Sequence, residues 1–221
     1  MRVTVVTVCL NSESFIASAI QSVLSQTYLN IEYVVIDGDS KDGTLSIIHS
    51  YGDHVTRIVS EPDTGIYDAM NKGFTLATGD VIGILNSDDF YPHKDVIAQV
   101  VEVFKANPDA QMVLGNVDFV HPDDLIRPVR LYSSFKFSPW KMRFGFMPAH
   151  PAAFIRRSAY EQIGNYKLDY KIGADFDWFV RAFLVHRLPY AKLNQTLVRM
   201  REGGVSTSGL KSYWVSSKEQ L

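Results

Sequence analysis

Short apolar runs alternate with amphipathic segments along the first half of the chain. Val3–Cys9 is an apolar, β-branched run, and apolar positions at helical spacing follow it, which predicts a strand and then a helix. The pattern recurs, with further strands predicted over residues 31–36, 55–59, 81–85 and 112–117 and helices over 15–24, 45–50, 67–77 and 92–106. Because strand and helix alternate, we expect an α/β fold with a mostly parallel sheet flanked by helices.

The second half has a less regular pattern. Residues 121–147 are rich in proline, arginine and aromatic residues, so they are predicted to be partly loop. Residues 175–185 predict a helix, because their apolar positions share one face, and residues 188–200 predict one or two strands. Near the amino end, Asn11 or Ser12 is expected to cap the first helix. No repeat or linker interrupts the sequence, which favours a single domain over residues 1–221 with two halves that meet at residue 118.

Composition narrows the class of protein. The 221 residues suit one α/β domain, and 22 Lys and Arg against 24 Asp and Glu give no basic excess that would favour a nucleic-acid partner. One cysteine, Cys9, excludes an internal disulfide and a cysteine-based zinc site, which indicates a reducing compartment. The sequence has neither a signal-peptide pattern nor the ~18 consecutive apolar residues of a membrane span. A cytoplasmic location is therefore expected, with a peripheral contact on the inner face of the cytoplasmic membrane left open.

Carboxylates follow two of the predicted strands. Asp37 comes directly after the run 31–36, while Asp88 and Asp89 come shortly after the run 81–85. Ligands of open parallel sheets bind beyond the carboxyl ends of the strands. Carboxylate oxygens there would suit a divalent cation, Mn²⁺ or Mg²⁺, beside a diphosphate. The alternative is structural, since aspartate also favours turns and helix caps.

An ordered series of motifs resembles the inverting family 2 glycosyltransferases of the GT-A fold, of the bacterial polysaccharide and lipopolysaccharide type. The resemblance covers about residues 3–206. It rests on the segments VTVVTVCLN, SAIQSVLSQTY, VVIDGDSKDGT, EPDTGIYDAMNKGFTLATGDVIGILNSDD, PAHPAAFIRR, IGADFDWFVR and REGGVS. It implies a Rossmann-like sheet with a nucleotide-sugar-binding half, 1–118, and a smaller acceptor-side half, 119–221. The implied reaction is metal-dependent transfer of a sugar, with inversion, from a nucleotide-diphosphate sugar to a glycan or lipid-linked saccharide.

The resemblance also implies roles for single residues. Asp37 would meet the nucleotide base, Asp88 the ribose, and Asp89 the metal in a DXD-like motif. The full set of expected donor contacts is Thr7, Val8, Asn11, Asp37, Asp68, Asn71 and Asp88. Several of these have a plain structural alternative, as strand residues or as helix caps.

Two further residues complete the expected site. Asp175 would be the catalytic base that removes the proton of the acceptor hydroxyl, although an aspartate there could equally cap its helix. His150 is a second candidate for holding the metal or a phosphate, against the alternative of a structural histidine. Arg199, Arg201 and the pair 203–204 are candidates for a lid over the diphosphate, against an ordinary loop.

The sequence departs from the family pattern at several positions. The usual Asp-Asp-Gly-Ser reads Asp37-Gly38-Asp39-Ser40, so one acidic contact to the base is missing or moved. The usual Asp-x-Asp-Asp begins with Asn86, and Met70 stands where many relatives carry arginine. These departures leave the identity of the nucleotide open.

Two alternative functions compete with sugar transfer. A nucleotidylyltransferase shares the metal chemistry, but the expected glycine-rich basic loop after the first strand does not occur. A non-catalytic nucleotide- or sugar-binding module would have the same acids without turnover. The segment SSFKFSPWKMRFGF mixes aromatic and basic residues, which favours either contact with a lipid-linked acceptor at a membrane surface or a solvated loop.

Overall fold

A single mixed sheet forms the centre of the molecule. The computed structural model describes residues 1–203. Its strands are β1 (Val3–Cys9), β2 (Ile31–Asp37), β3 (Arg57–Ser60), β4 (Val81–Ile84), β5 (Met112–His121), β6 (Asp124–Tyr132), β7 (Ala153–Arg156) and β8 (Tyr190–Arg201). The sheet has the order β3-β2-β1-β4-β7-β5-β6, and β8 pairs with β5.

Helices cover both faces of this sheet. They are α1 (Ile16–Leu24), α2 (Thr44–Ser50), α3 (Ile66–Leu76), α4 (Val96–Ala106), α5 (Arg157–Ile163) and α6 (Ala174–Val180), with short 3-10 helices at Gly52–His54, Pro139–Phe144 and His150–Ala152. The predicted α/β fold with a mostly parallel sheet flanked by helices is confirmed. In residues 1–203, none of the helices is both long enough and apolar enough to cross a lipid bilayer.

The pairing of the first four strands places the chain's acidic loops. Strand β1 pairs in parallel with β2 on one side and with β4 on the other, and β3 extends the parallel part beyond β2. Every residue of β1 is buried, which explains its mostly apolar sequence, and the hydroxyls of its two threonines are paired inside the fold. The carboxyl ends of β2, β1 and β4 therefore lie side by side. We call the loops that follow these three strands the carboxyl edge.

Two apolar layers hold the sheet between the helices. Successive residues of β1 point to opposite faces, so Val5 belongs to the apolar layer that includes residues of α1 and α4, and Val6 to the layer that includes residues of α3 and α6. Phe104 on the first face and Trp178 on the second are almost completely buried. Trp178 is thus a core residue, and its indole N–H donates to the carbonyl of Gly164 at 2.9 Å.

The segment predicted to be partly loop contains a nine-residue strand, β6. This strand pairs antiparallel with β5 through a register shift near Phe119 and Val120, and most of its residues are exposed. Because β6 is exposed along almost its whole length, no buried face imposes an apolar alternation on it, and Pro128 is tolerated there because one side of the strand has no partner. The pattern of apolar and polar residues therefore did not predict β6.

The first and last predicted helices also differ in detail. Helix α1 begins after Phe15 without any side-chain cap, because the backbone carbonyl of Ser12 accepts the amide protons of Phe15 and Ile16. The caps predicted at Asn11 and Ser12 are therefore wrong. The helix predicted over 175–185 is α6 followed by a π-helical turn, Arg181–Val185. The division of the chain at residue 118 stays a prediction; it falls inside β5.

A buried carboxylate ties the amino ends of the central strands together. On β2, Glu32 accepts hydrogen bonds from the Thr4 hydroxyl at 2.5 Å, from the Thr78 amide at 2.7 Å and from the Thr78 hydroxyl at 2.8 Å. Arg2 lies 3.4 Å from the same carboxylate. Burial raises the pKa of Glu32, but these hydrogen bonds and the charge of Arg2 outweigh it, so the net pKa lies below its ordinary value.

Replacing Glu32 with glutamine should destabilise the fold most strongly near neutral pH. A lowered folded-state pKa means that the ionised carboxylate stabilises the protein above the ordinary glutamate pKa, and that this contribution is lost as the pH falls through the folded-state pKa. We expect Glu32→Gln to lower the free energy of unfolding by about 1–3 kcal/mol at pH 7, with a smaller difference in acid. Urea unfolding at several pH values measures this.

Glu102→Gln is the matched control. Glu102 pairs with Lys105 at 2.7 Å on an exposed helix face, so its loss should change the free energy of unfolding by less than about 0.5 kcal/mol. If Glu32→Gln lowered the free energy of unfolding by the same amount at every pH, the ionised form of Glu32 would not be the source of its stabilising effect.

Candidate active site at the carboxyl edge

The loops of the carboxyl edge are joined to one another by short polar contacts. The hydroxyl groups of Ser12, after β1, and Ser87, after β4, are 2.9 Å apart. The Ser12 amide donates to the Thr44 hydroxyl at 2.7 Å, and the Asn11 amide donates to the Ser40 hydroxyl at 2.8 Å, both in the region after β2. The acids that follow β2 and β4 are therefore held at one rim of the sheet, a single strand apart.

Asp37 is the structural anchor of this rim. Its side chain is fully buried, and it accepts hydrogen bonds from the Ser40 amide at 3.1 Å, the Ser40 hydroxyl at 2.5 Å and the Ser60 hydroxyl at 2.7 Å. Three donors offset the cost of burying its charge. Both carboxylate oxygens are thus occupied by the protein itself. The contact with a base that the sequence predicts for Asp37 stays a prediction.

The residues at and just after the end of β1 are also committed to the fold. The Thr7 hydroxyl lies 3.0 Å from that of Tyr33 inside the sheet, and Val8 is buried. Asn11 is exposed and has a positive φ of 48°, a conformation that asparagine tolerates better than most residues. Its side-chain oxygen accepts the Lys41 amide at 2.9 Å. Asn11 therefore braces the loop after β2, and donor contacts by Thr7, Val8 and Asn11 stay predictions.

The two acids after β4 have different environments. Asp88 is partly exposed, whereas Asp89 has no exposed surface. Asn86 donates to one oxygen of Asp89 at 3.1 Å. Within residues 1–203, the other oxygen of Asp89 and the side-chain oxygen of Asn86 are buried without a hydrogen-bond partner. Burial, followed by the nearby charge of Asp88, raises the pKa of Asp89 well above its ordinary value.

Arg201, at the end of β8, supports this acidic loop. It donates to the backbone carbonyl of Asp88 and, at 2.8 Å, to the Ser18 hydroxyl. Its guanidinium carbon lies 4.9 Å from the ring centre of Phe90. Burial lowers the pKa of Arg201, while Asp88 and Asp89 oppose that shift. Arg201 is thus a buried brace of the loop; of the predicted lid beside it, residue 204 lies outside the described part of the chain.

The oxygen atoms of this loop fit a hard divalent cation. The atoms of this loop that can accept a hydrogen bond or bind a metal are the side-chain oxygens of Asn86, Asp88 and Asp89. Two of these oxygens, one on Asn86 and one on Asp89, have no partner among the described residues. In residues 1–203, no cluster of three or more His, Cys, Asp or Glu side chains could hold a metal by itself. A cation here would need further oxygen ligands from a bound molecule.

Asp175 lies in the first turn of α6, facing the start of α3. Its Oδ1 accepts the Tyr67 hydroxyl at 3.1 Å and the Phe176 amide at 2.9 Å. The Tyr67 hydroxyl also contacts the carbonyl of Ile172. Burial and then the charge of Asp175 raise the pKa of Tyr67, so this hydroxyl stays protonated and donates. Asp175 is partly exposed and held in one orientation, as a general base requires.

His150 lies in the core beside this group. Its Nε2 is 2.7 Å from the Tyr166 hydroxyl, and its ring packs edge-on against Tyr166 and Phe179. Burial lowers the pKa of His150, with Asp175 opposing the shift, so the ring is mainly neutral at pH 7. Its surroundings match the structural alternative, and its predicted metal contact stays a prediction.

Two predicted donor residues on α3 shape the neighbouring loops. The Asn71 side chain bonds both backbone groups of Tyr166, at 2.9 and 3.0 Å. Asp68 accepts the Thr64 amide at 2.9 Å. Both side chains thus fix backbone turns at the end of the molecule that carries Asp175, and their contacts with a donor stay predictions.

Sequence reasoning missed Ser60 and Asp63, which reach the carboxyl edge from β3 and the loop after it. Ser60 bonds Asp37, and Asp63 lies against Gly38 in the loop after β2. The aspartate of the segment EPDTG is a visible turn residue. However, its meeting with Gly38 depends on the register that pairs Asp37 with Ser60, which the sequence does not display.

Comparison with known proteins gives a consistent family. The family described as Glycosyl transferase family 2 matches residues 4–164. The chain is 34% identical over 185 residues to the uncharacterized glycosyltransferase Rv1514c of Mycobacterium tuberculosis, covering 83% of this chain and 69% of that one. It is 31% identical over 177 residues to the PGL/p-HBAD biosynthesis glycosyltransferase Rv2957 of the same organism, covering 79% of this chain and 66% of that one.

Two solved structures share the fold. Staphylococcus aureus TarS 1-349 in complex with UDP-GlcNAc has a TM-score of 0.77 at 20% identity, over 97% of this chain and 64% of that one. The mannosyltransferase PcManGT from Pyrobaculum calidifontis, in complex with GDP-Man and Mn²⁺, has a TM-score of 0.68 at 20% identity, over 93% of this chain and 58% of that one. This chain therefore spans less than two thirds of either solved chain.

The family match takes in most of the chain, and relatives above 30% identity align with about four fifths of it. The GT-A-type sheet, the acidic loops after β2 and β4 and the later motifs agree with that assignment. The chain belongs to glycosyl transferase family 2.

Proposed function

We propose that this protein transfers a sugar from a nucleoside-diphosphate sugar to a hydroxyl of a glycan or lipid-linked saccharide, with inversion at the anomeric carbon and with Mn²⁺ or Mg²⁺ as cofactor. One observation carries the proposal: in a family 2 chain, the loop with Asp88 and the orphaned oxygens of Asn86 and Asp89 is joined to the other loops of the carboxyl edge. The UDP-GlcNAc and GDP-Man named for TarS and PcManGT support a donor of this class.

The acid pair would hold the donor's diphosphate through the cation. A bound divalent cation neutralises the charge that develops on the departing phosphate. Asp88 is the member of the pair that reaches the surface, so we assign it the first contact with the cation. Asp89 lies beneath it, and the metal contact predicted for Asp89 requires this loop to open. Burial and the charge of Asp88 raise the pKa of Asp89, and the charge of Arg201 only partly offsets this.

Asp175 would take the proton of the attacking hydroxyl. Among the described residues, its hydrogen bonds fall on Oδ1, which leaves Oδ2 for the acceptor. The Tyr67 hydroxyl donates to Oδ1 and so holds the carboxylate in place. The acceptor oxygen would bond to the anomeric carbon on the face opposite the nucleoside diphosphate, which leaves as that bond forms. The anomeric configuration would therefore be inverted.

An aromatic and basic surface would bring the enzyme to a lipid-linked acceptor. Four large rings are exposed within twelve residues, Phe135 at 52%, Trp140 at 59%, Phe144 at 69% and Phe146 at 62%. Lys136, Lys141 and Arg143 lie among them, and residues 133–149 contain no acidic side chain. Aromatic rings favour the membrane interface, and basic groups favour anionic lipid. We therefore propose peripheral contact with an anionic surface such as the inner face of the cytoplasmic membrane.

Donor binding should require the cation. We expect at least one of UDP, GDP, ADP and CDP to raise the thermal unfolding temperature in the presence of Mn²⁺ and to lose most of that effect without it. A ligand at a hundred times its Kd contributes about 2.7 kcal/mol to apparent stability. Asp88→Asn should abolish the cation-dependent part. Asp53→Asn removes an exposed charge elsewhere and serves as the control. Absent or cation-independent shifts would contradict the proposed function.

Turnover should depend on Asp175 and less strongly on Tyr67. The substrate is a sugar diphosphate of the nucleotide that binds best. With it, Asp175→Asn should lower kcat by about 10²–10⁴-fold, because general-base catalysis is lost. The Kd of the donor should change by less than about twofold, because the loops of the carboxyl edge are unchanged. Tyr67→Phe should lower kcat less, because it removes one of the two hydrogen bonds that orient the Asp175 carboxylate. Release of nucleoside diphosphate measures both.

Asp169→Asn is the control for these variants, since Asp169 is exposed on the connection that leads to α6. Unchanged turnover in Asp175→Asn with normal donor binding would favour the non-catalytic binding module.

Binding to vesicles should require both the rings and anionic lipid. We expect the protein to sediment with vesicles that contain phosphatidylglycerol, to bind phosphatidylcholine vesicles weakly, and to lose most binding at high salt. Trp140→Ala with Phe144→Ala should abolish the sedimentation. Leu29→Ala, at a residue 93% exposed elsewhere, should leave it unchanged. Equal sedimentation of the double variant would contradict a role for this surface.

A further inference from the structure

Gly38 stands where the family motif usually carries a second acid, and the structure shows what fills its place. A Cβ atom added to Gly38 would lie 2.4 Å from an Oδ atom of Asp63 and 3.2 Å from its carboxyl carbon. The Gly38 amide donates to the Cys9 carbonyl at 2.9 Å, so the backbone there is fixed to β1. Only glycine fits beside this carboxylate without movement. The acid missing from the loop after β2 thus has a counterpart from the loop after β3.

The fold explains how Asp63 reaches this place. Strands β2 and β3 pair in parallel with Asp37 opposite Ser60, so the residues that follow both strands leave the sheet together. One carboxylate oxygen of Asp63 accepts the Gly65 amide at 2.9 Å, which closes a tight turn and orients the side chain. Within residues 1–203, no hydrogen bond reaches its second oxygen, which is the one that faces Gly38.

The neighbouring acids are poorer candidates to meet a ligand here. Asp37 is buried, with both oxygens occupied by serine donors. Asp39 has a positive φ of 67° and pairs with Lys41 at 2.7 Å. Asp63 is partly exposed and has an oxygen to offer. Leu10, 54% exposed, has a methyl group 3.5 Å from the same Cβ position, which provides an apolar surface for a planar ring.

We propose that Asp63 replaces the missing acid and reads the base of the donor nucleotide, an inference that rests on the proposed function. A carboxylate only accepts hydrogen bonds. Uracil and guanine each present a ring N–H on the pairing edge, and guanine adds an amino group beside it. Adenine and cytosine present a ring nitrogen lone pair at the equivalent position, which a carboxylate repels. The site would therefore select a uridine or guanosine diphosphate over the adenosine and cytidine forms.

Titration calorimetry with UDP, GDP, ADP and CDP, each with Mn²⁺, tests this selection. We expect wild type to bind UDP or GDP at least about tenfold more tightly than ADP and CDP. Asp63→Asn keeps the shape of the side chain but replaces one acceptor with a donor. It should weaken binding of the favoured nucleotide by about tenfold or more, and so reduce the difference in affinity between that nucleotide and ADP or CDP. Asp53→Asn is the charge-matched control and should change neither quantity.

A swap variant guards against effects on folding. Gly38→Asp alone should bind poorly, because its side chain collides with Asp63. Gly38→Asp combined with Asp63→Ala should regain a preference for UDP or GDP, because an acid again occupies the place. Thermal unfolding of each variant checks that the fold is kept.

The outcomes separate this inference from the proposed function. Normal nucleotide binding with a base preference unchanged in Asp63→Asn would overturn the role of Asp63 and leave the function standing. If Asp39→Asn loses the preference for UDP or GDP while Asp63→Asn keeps it, the proposed role of Asp63 is also overturned, because Asp39 is then the acid that contacts the base. If wild type binds no nucleotide with Mn²⁺, the proposed function fails and this inference fails with it.

Discussion

The position of β1 between two parallel partners is the constraint on which the site depends. Because β2 and β4 flank β1 in the same direction, three strands deliver their loops to one rim, and all three loops carry polar residues. Contacts between Ser12 and Ser87 and between Asn11 and Ser40 then fix the loops against each other. The apolar side chains of β1 alternate between two helical layers, so shifting it by one residue would exchange both layers at once. The rim is rigid because the core beneath it tolerates only one register.

Burial divides the acids of this rim into two kinds. Asp37 is inaccessible and fully supplied with donors, so its charge organises the loop between β2 and α2. Asp89 is equally inaccessible, but one of its oxygens has no hydrogen-bond partner among the described residues, and burial followed by the charge of Asp88 raises its pKa. Asp63, Asp88 and Asp175 are among the partly exposed carboxylates, which can meet another molecule. A buried charge costs free energy unless it is paired, which explains why the hydrogen-bond donors of this rim are directed at Asp37.

The second half of the chain completes the rim rather than forming a separate layer. Strand β8 runs parallel to β5 and ends at Arg201, which grips the backbone of Asp88 from beneath. Helix α6 brings Asp175 to Tyr67 at the start of α3, which follows the loop that contains Asp63. Elements from the two halves of the chain therefore share side-chain contacts.

The sequence by itself determined the fold class, most of the elements and the family, because buried strands and amphipathic helices have periodicities that survive in one dimension. It also determined that acids follow β2 and β4. It did not reveal β6, whose exposed edge position imposes no alternation, nor the start of α1, which a backbone carbonyl caps. Only the tertiary structure decided which acids are accessible. Asp37 and Asp88 look alike in sequence, but Ser60, which donates to Asp37, and the Asp63 carboxylate, which lies against Gly38, come from a neighbouring strand and its loop. Such contacts exist only once the strands have paired.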